Sequence, residues 1–189
     1  MSNINLNELR DRAYKTACEH GFHDKELSNE HCLCLIVGEL MEAVEADRKG
    51  KRADRESFKS SYENEEPHYN ADFKYSFEKY IKDCVGDELA DACIRLFDLC
   101  GLRKIDINGF TEEMIYEATE SCNGETFTES IYAISTLPIR YFYEYNYSFE
   151  SQIGHMLLSI IGLAKHMNID LIWHVAVSYT HLRAHETPE

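Results

Sequence analysis

The sequence predicts an all-α fold, a helical bundle with an acidic metal site between two long helices. Three observations predict it. Apolar residues recur at spacings of three and four over long stretches, as helices that bury one stripe require. Only three prolines, at 67, 138 and 188, interrupt 189 residues. The composition, 44% hydrophobic against 28% charged, suits a globular core, and no apolar run approaches the roughly 20 residues a bilayer needs. One domain over residues 1–176 is the expected organisation.

Leu6, Leu9, Ala13 and Ala17 mark a first helix that ends near His20, with Gly21 suited to the left-handed position after it. A loop, FHDKELSN, follows, and Ser28 or Asn29 can cap a second helix on the stripe Leu33, Val37, Leu40 and Val44, running to about Arg48. From Lys49 the chain turns polar, so residues 49–75 read as an insertion or flap. The stripe Val85, Leu89, Ala92, Leu96 and Leu99 predicts a third helix from about Ser76 to Leu102. Thr111 caps a shorter helix to Cys122, with Glu112 and Glu113 in its dipole-favoured first turn. Thr126 or Thr128 opens another, expected to stop near Pro138, and a last long helix spans about Phe149 to Met167.

An internal echo suggests a pseudo-duplication. At an offset of 64, Leu99 and Ile105-Asp106-Ile107 align with Leu163 and Ile169-Asp170-Leu171, while Glu88 and Asp91 face Gln152 and His155. The end of the chain reads differently. VSYTHLRAHET, from Val177 to Thr187, resembles one reading frame of a sequencing-library adapter, so residues 177–189 are expected to be a non-native tail.

Lys and Arg number 19 against 34 Asp and Glu, a formal charge of −15 that repels a phosphate backbone and argues against a nucleic-acid polymer as partner. Small phosphate ligands remain open to such a chain, because clustered acids bind divalent cations that in turn hold phosphates. Seven cysteines, most within apolar helical pattern and none in a CxxC pair, predict buried thiols and a reducing, cytoplasmic setting.

Two predicted helices carry an acid, two spacers and a second acid: Glu39-Leu-Met-Glu42 and Glu88-Leu-Ala-Asp91. That spacing sets each pair on one helix face, one turn apart. With 34 acids in the chain, chance alone supplies about six such pairs, so spacing is weak by itself. Context separates these two. Both sit beside the core stripes, Glu39, Glu42 and Glu88 have alanine rather than a cation four residues on, and Gly38, Ala43, Gly86, Ala90 and Ala92 keep the surroundings small. Four carboxylates at one helix crossing repel strongly unless a cation joins them, and hard oxygen ligands suit Mg²⁺, with Mn²⁺ as substitute.

At these residues the chain resembles the MazG-like all-α nucleoside triphosphate pyrophosphohydrolases. LCLIVGELMEAVEADRKGK is similar to that family's ExxE helix, and GDELADACIRLFDLCG to its ExxD helix. The resemblance covers residues 27–48 and 82–107 well and IDLIWHV loosely. It implies that Glu39, Glu42, Glu88 and Asp91 are Mg²⁺ ligands and catalytic groups. It implies hydrolysis of an NTP or dNTP at the α-phosphorus to nucleoside monophosphate and pyrophosphate, and a homodimer. His23 and Lys25, by the same resemblance, border the base pocket. Two departures stand out: a longer connection between Glu42 and Glu88, and the adapter-like stretch where the family continues into a basic final helix.

Arg95 lies one turn beyond Asp91, where it can meet a phosphate or pair with Asp91 or Asp98. Glu45 extends the acid stripe but has Arg48 and Lys49 within reach. Tyr141, Tyr143, Tyr145 and Tyr147 form either a stacking patch or a helix-end cluster, and Trp173 reads as core. A reading from another class is a non-catalytic helical interaction or regulatory protein with inert acids. A carboxylate di-iron bundle is excluded: it needs Glu-x-x-His on two helices, and the chain offers only Glu65 to His68 beside Pro67.

Overall fold

The computed structural model describes residues 5–62 and 72–184, the last three by backbone alone. Pro67 and the Glu65–His68 spacing lie outside the described residues. Among the described residues the fold is all-α, with nine helices: α1 Leu6–Glu19, α2 Asn29–Arg48, α3 Arg55–Tyr62, α4 Phe73–Tyr80, α5 Val85–Arg103, α6 Glu112–Glu120, α7 Phe127–Tyr145, α8 Phe149–His166 and α9 Leu171–Ala184. None of them singly is long and apolar enough to cross a membrane.

α5 is the axis, in contact with α1, α2, α8 and α9. Its stripe Val85, Leu89, Ala92, Leu96 and Leu99 is buried as the sequence predicts, but Ala90, Cys93, Phe97 and Cys100 are buried too, so the helix is covered on nearly every side. Helix starts follow the capping rules. Ser28 accepts the His31 N–H, Thr111 accepts the Met114 N–H, and Thr126 forms a reciprocal capping box with Glu129. Gly21, just after the α1 cap, has φ of +73°.

Three expectations are corrected. The third predicted helix is two: α4 ends at Tyr80 and α5 begins at Val85. Asp83, at φ +58°, turns the chain between them and donates its N–H to Asp87 at 3.0 Å. The helix that was to stop near Pro138 runs on to Tyr145. A proline there forfeits one helical hydrogen bond, at roughly 3 kcal/mol, which burial of Ile131, Ile134 and Leu137 offsets. The α2 stripe is rotated: Cys32, Ile36, Leu40, Ala43 and Ala46 are buried, while Leu33 and Val44 only flank the core and Val37 is half-buried. Within the expected insertion or flap of residues 49–75, the described parts fold: α3 and α4 make a second small core in which Phe58, Phe77 and Ile81 are buried against Trp173 and Phe73. Trp173 is thus half-buried there, beneath the Arg55 guanidinium at 4.2 Å.

The chain crosses Val177 without a break. Val175 and Tyr179 are each 1% exposed and extend the buried face begun by Leu171, so part of the adapter-like stretch fills the bundle. The offset of 64 has a structural counterpart: Lys104 and Asn168 end α5 and α8 at φ of +57° and +56°, and Ile105 and Ile169 both donate back at 2.8 Å to Cys100 and Ala164.

Close crossings occur where glycine allows them. A Cβ on Gly86 would lie 2.4 Å from Nε2 of His174, which fixes how near α9 comes to the first turn of α5. Gly38, by contrast, faces open space. Gly86→Ala should therefore cost about 1–3 kcal/mol, a fall in Tm of several degrees, partly recovered by adding His174→Ala. An unchanged melting curve for the single variant would refute this crossing.

Candidate metal centre

The two acid pairs meet where α2 crosses α5. One oxygen each from Glu39, Glu42 and Glu88 lies within 4.8 Å of the others. Asp91, one turn beyond Glu88, lines the same cleft of about 130 Å³. The rotation of α2 explains the meeting: with Ile36, Leu40 and Ala43 centred on the core, Glu39 is drawn inward to 9% exposure while Glu42 keeps an open edge. On α5 the late helix start sets Asp87 and Glu88 in the first turn, where the helix dipole favours carboxylates.

Burial and crowding dominate the electrostatics. Burial first, then the charges of Asp87, Glu42 and Glu39, push the Glu88 carboxyl up to about 8. Asp91 is likewise pushed up to about 8, by burial and then by Asp87, Glu39 and Glu88, against a lowering pull from Arg95. Asp87, 4% exposed, rises to about 6 through burial, opposed by hydrogen bonds from the Ser178 hydroxyl at 2.8 Å and the Asp83 N–H. Such a set of hard oxygen donors, short of positive charge, fits a divalent cation.

Arg95 does not take either acid on its own helix. Its Nε donates to Oε1 of Glu39 at 2.5 Å, across the helix crossing. The absence of a cation four residues after Glu39 therefore leaves out the neighbour that matters, which comes from α5. Glu45 pairs with Lys49 at 2.9 Å and Arg48 at 3.7 Å, outside the cleft lining.

His23 and Lys25 are not brought into the cleft lining. Nε2 of His23 meets Oδ1 of Asp98 at 2.7 Å, its ring lies against Tyr14, and its Nδ1 is buried without a hydrogen-bond partner. Asp98 is two turns beyond Asp91, so His23 sits roughly 10 Å along α5 from the acid cluster. Lys25 is exposed in the same loop. Tyr141, Tyr145 and Tyr147 pack with His155 as a helix-end cluster, and Tyr143 is exposed.

Sequence reasoning missed Phe77, Lys82, Asp83, Asp87, Ser178 and His181, which complete the lining. Asp87 stands inside the GDEL segment, yet in a helix begun at Ser76 it reads as one more solvated acid. Ser178 and His181 fall in the adapter-like stretch, and His181 stacks on Phe77 at 4.2 Å. No family model, curated protein or solved structure matches this chain.

The raised carboxyls give stability a sign. Unfolded, Asp and Glu titrate near pH 4; folded, Glu88 and Asp91 hold their protons to about pH 8. The native state thus binds more protons across that window, and the stability these groups contribute is lost as pH rises through it. In chelator, Tm should fall from pH 5 to pH 8.5, and Glu88→Gln should flatten the fall. Equal slopes for parent and variant would remove Glu88 as its source.

Proposed function

We propose that this chain is a Mg²⁺-dependent pyrophosphohydrolase that converts nucleoside triphosphates to nucleoside monophosphate and pyrophosphate. One observation carries the reading: acids 49 residues apart in sequence, Glu39 and Glu88, converge with Glu42 at the crossing of two core helices. The order of an ExxE helix and an ExxD helix, as in the MazG-like enzymes, turns a generic acid cluster toward this chemistry.

Glu39, Glu42, Glu88 and Asp91 would hold the ion. When bound, Mg²⁺ supplies charge against the triphosphate oxygens and makes the attacking water more acidic. The remaining work belongs to the chain. Glu42, the exposed member of the set, has an edge free to accept the water's proton. Glu88 is buried and Asp91 half-buried beside the α2–α5 crossing, which restrains where their oxygens can go. Arg95, 44% exposed at its side chain, presents the outer part of its guanidinium toward solvent, where a phosphate can reach it. The loop of His23 and Lys25, farther along α5, is the side on which the base would lie. A homodimer and a reducing, cytoplasmic setting complete the proposal, the latter supported by cysteines that are all free among the described residues.

The Arg95–Glu39 ion pair favours a second reading, in which the acids are structural and the protein is a non-catalytic helical module. Metal response separates the two. Mg²⁺ or Mn²⁺ should raise the parent's Tm, by about 2.7 kcal/mol of stabilisation at a hundredfold excess over Kd. Glu42→Gln and Glu88→Gln should each cut pyrophosphate release at least about 100-fold at unchanged helical content. Full turnover by either variant under saturating Mg²⁺, or no thermal response to any divalent ion, would overturn the proposal.

A further inference from the structure

Among the described residues that line the cleft, one cation stands apart from its neighbours. Lys82 follows α4 in a fixed turn: the Phe77 carbonyl accepts both the Ile81 and the Lys82 N–H at 2.9 Å, and Asp83 beyond it is left-handed. The turn is anchored a second time where the Val85 N–H reaches the Lys51 carbonyl at 3.4 Å. Lys82 lines the cleft together with the acid cluster. The carboxylates nearest to it in sequence are already served. Lys51 lies 3.5 Å from Asp83, while Asp87 accepts from the Ser178 hydroxyl and the Asp83 N–H. Among the described residues the Lys82 ammonium makes no hydrogen bond or ion pair, although its charge is felt at Asp87.

We propose that Lys82 is the phosphate-holding residue of this cleft, its ammonium donating to non-bridging oxygens of a di- or triphosphate whose other oxygens face the metal ligands. The inference rests on the pyrophosphohydrolase reading and adds a residue to it. Its logic is one of donors and acceptors. Six acidic side chains line the cleft, and once ionised around a bound cation they are acceptors, as phosphate oxygens are. A polyphosphate entering it needs N–H or O–H donors wherever it is not facing a cation. Arg95 gives its Nε–H to Glu39 and stands outside the cleft lining, and the Ser178 hydroxyl goes to Asp87, whereas Lys82 lines the cleft and offers three N–H groups on a compact charge. Size agrees. At about 130 Å³ the cleft falls below the roughly 300 Å³ at which pockets for whole ligands begin, so it suits the phosphates, with the nucleoside outside it.

Inorganic pyrophosphate is the probe, titrated by calorimetry into the full chain with saturating Mg²⁺. The parent should bind it, Lys82→Ala should bind at least about tenfold more weakly, and Lys82→Arg should recover most of the loss. The Tm shift produced by Mg²⁺ alone should be the same in all three proteins, which separates loss of a phosphate contact from loss of the fold or of the metal. Equal pyrophosphate affinity in parent and Lys82→Ala would overturn the role of Lys82, as would a parent that responds to Mg²⁺ yet binds no pyrophosphate. In both cases the metal reading stands. A parent whose Tm ignores Mg²⁺ and which binds no pyrophosphate would overturn both.

Discussion

Carboxylates gathered at the crossing of α2 and α5 are the constraint to which the surrounding structure answers. Like charges held this close in a half-dry cleft oppose folding, and each neighbouring element relieves part of that opposition. The late start of α5 lends Asp87 and Glu88 the favourable end of a helix dipole. Arg95 reaches across to neutralise Glu39, and two hydrogen bonds hold Asp87. What remains uncompensated is the proton affinity of Glu88 and Asp91, both far above the ordinary carboxylate range. A fold optimised only for stability would replace such a set with apolar side chains. Its presence beside the buried α5 is the physical argument on which the proposed cation rests.

Much of this was legible from residues alone. Ser28, Thr111 and Thr126 announced their helix starts because a hydroxyl accepting a backbone N–H is a local event, complete within three or four residues. The α5 stripe was legible because its buried residues are large and aliphatic. The α2 stripe was legible only at Leu40: apart from Ile36, the rest of its buried face is Cys32, Ala43 and Ala46, whose small side chains weigh little against Leu33, Val37 and Val44. That misreading hid why Glu39 is inward. The acid pairs still stood out, since spacing survives a rotation of the helix.

Features that depend on another element were beyond the sequence. The break at Lys82-Asp83 contains neither glycine nor proline, and it exists because Asp87 captures the Asp83 N–H. Pro138 signals a stop by every local rule, but the packing of α7 against α8 overrides it. Arg95 has acids on its own helix within reach and pairs instead with one on α2. The insertion reads as polar because its apolar residues, Phe58, Phe73 and Phe77, close on Trp173, which lies about a hundred residues downstream. Sequence periodicity has no means of expressing such a contact.

The Arg95–Glu39 pair also bears on time. On the proposed metal reading, a cation arriving in the cleft would meet Glu42 and Glu88 at once, whereas one oxygen of Glu39 would stay engaged until the guanidinium lets go. Uptake of such an ion would then have two stages, a diffusive encounter followed by an exchange of partners at Glu39, in which two charges separate before a third approaches. Since the Arg95 side chain is 44% exposed, dissolved salt screens the attraction that holds it. Ionic strength would thus act on the two stages in opposite senses, slowing the encounter and hastening the exchange.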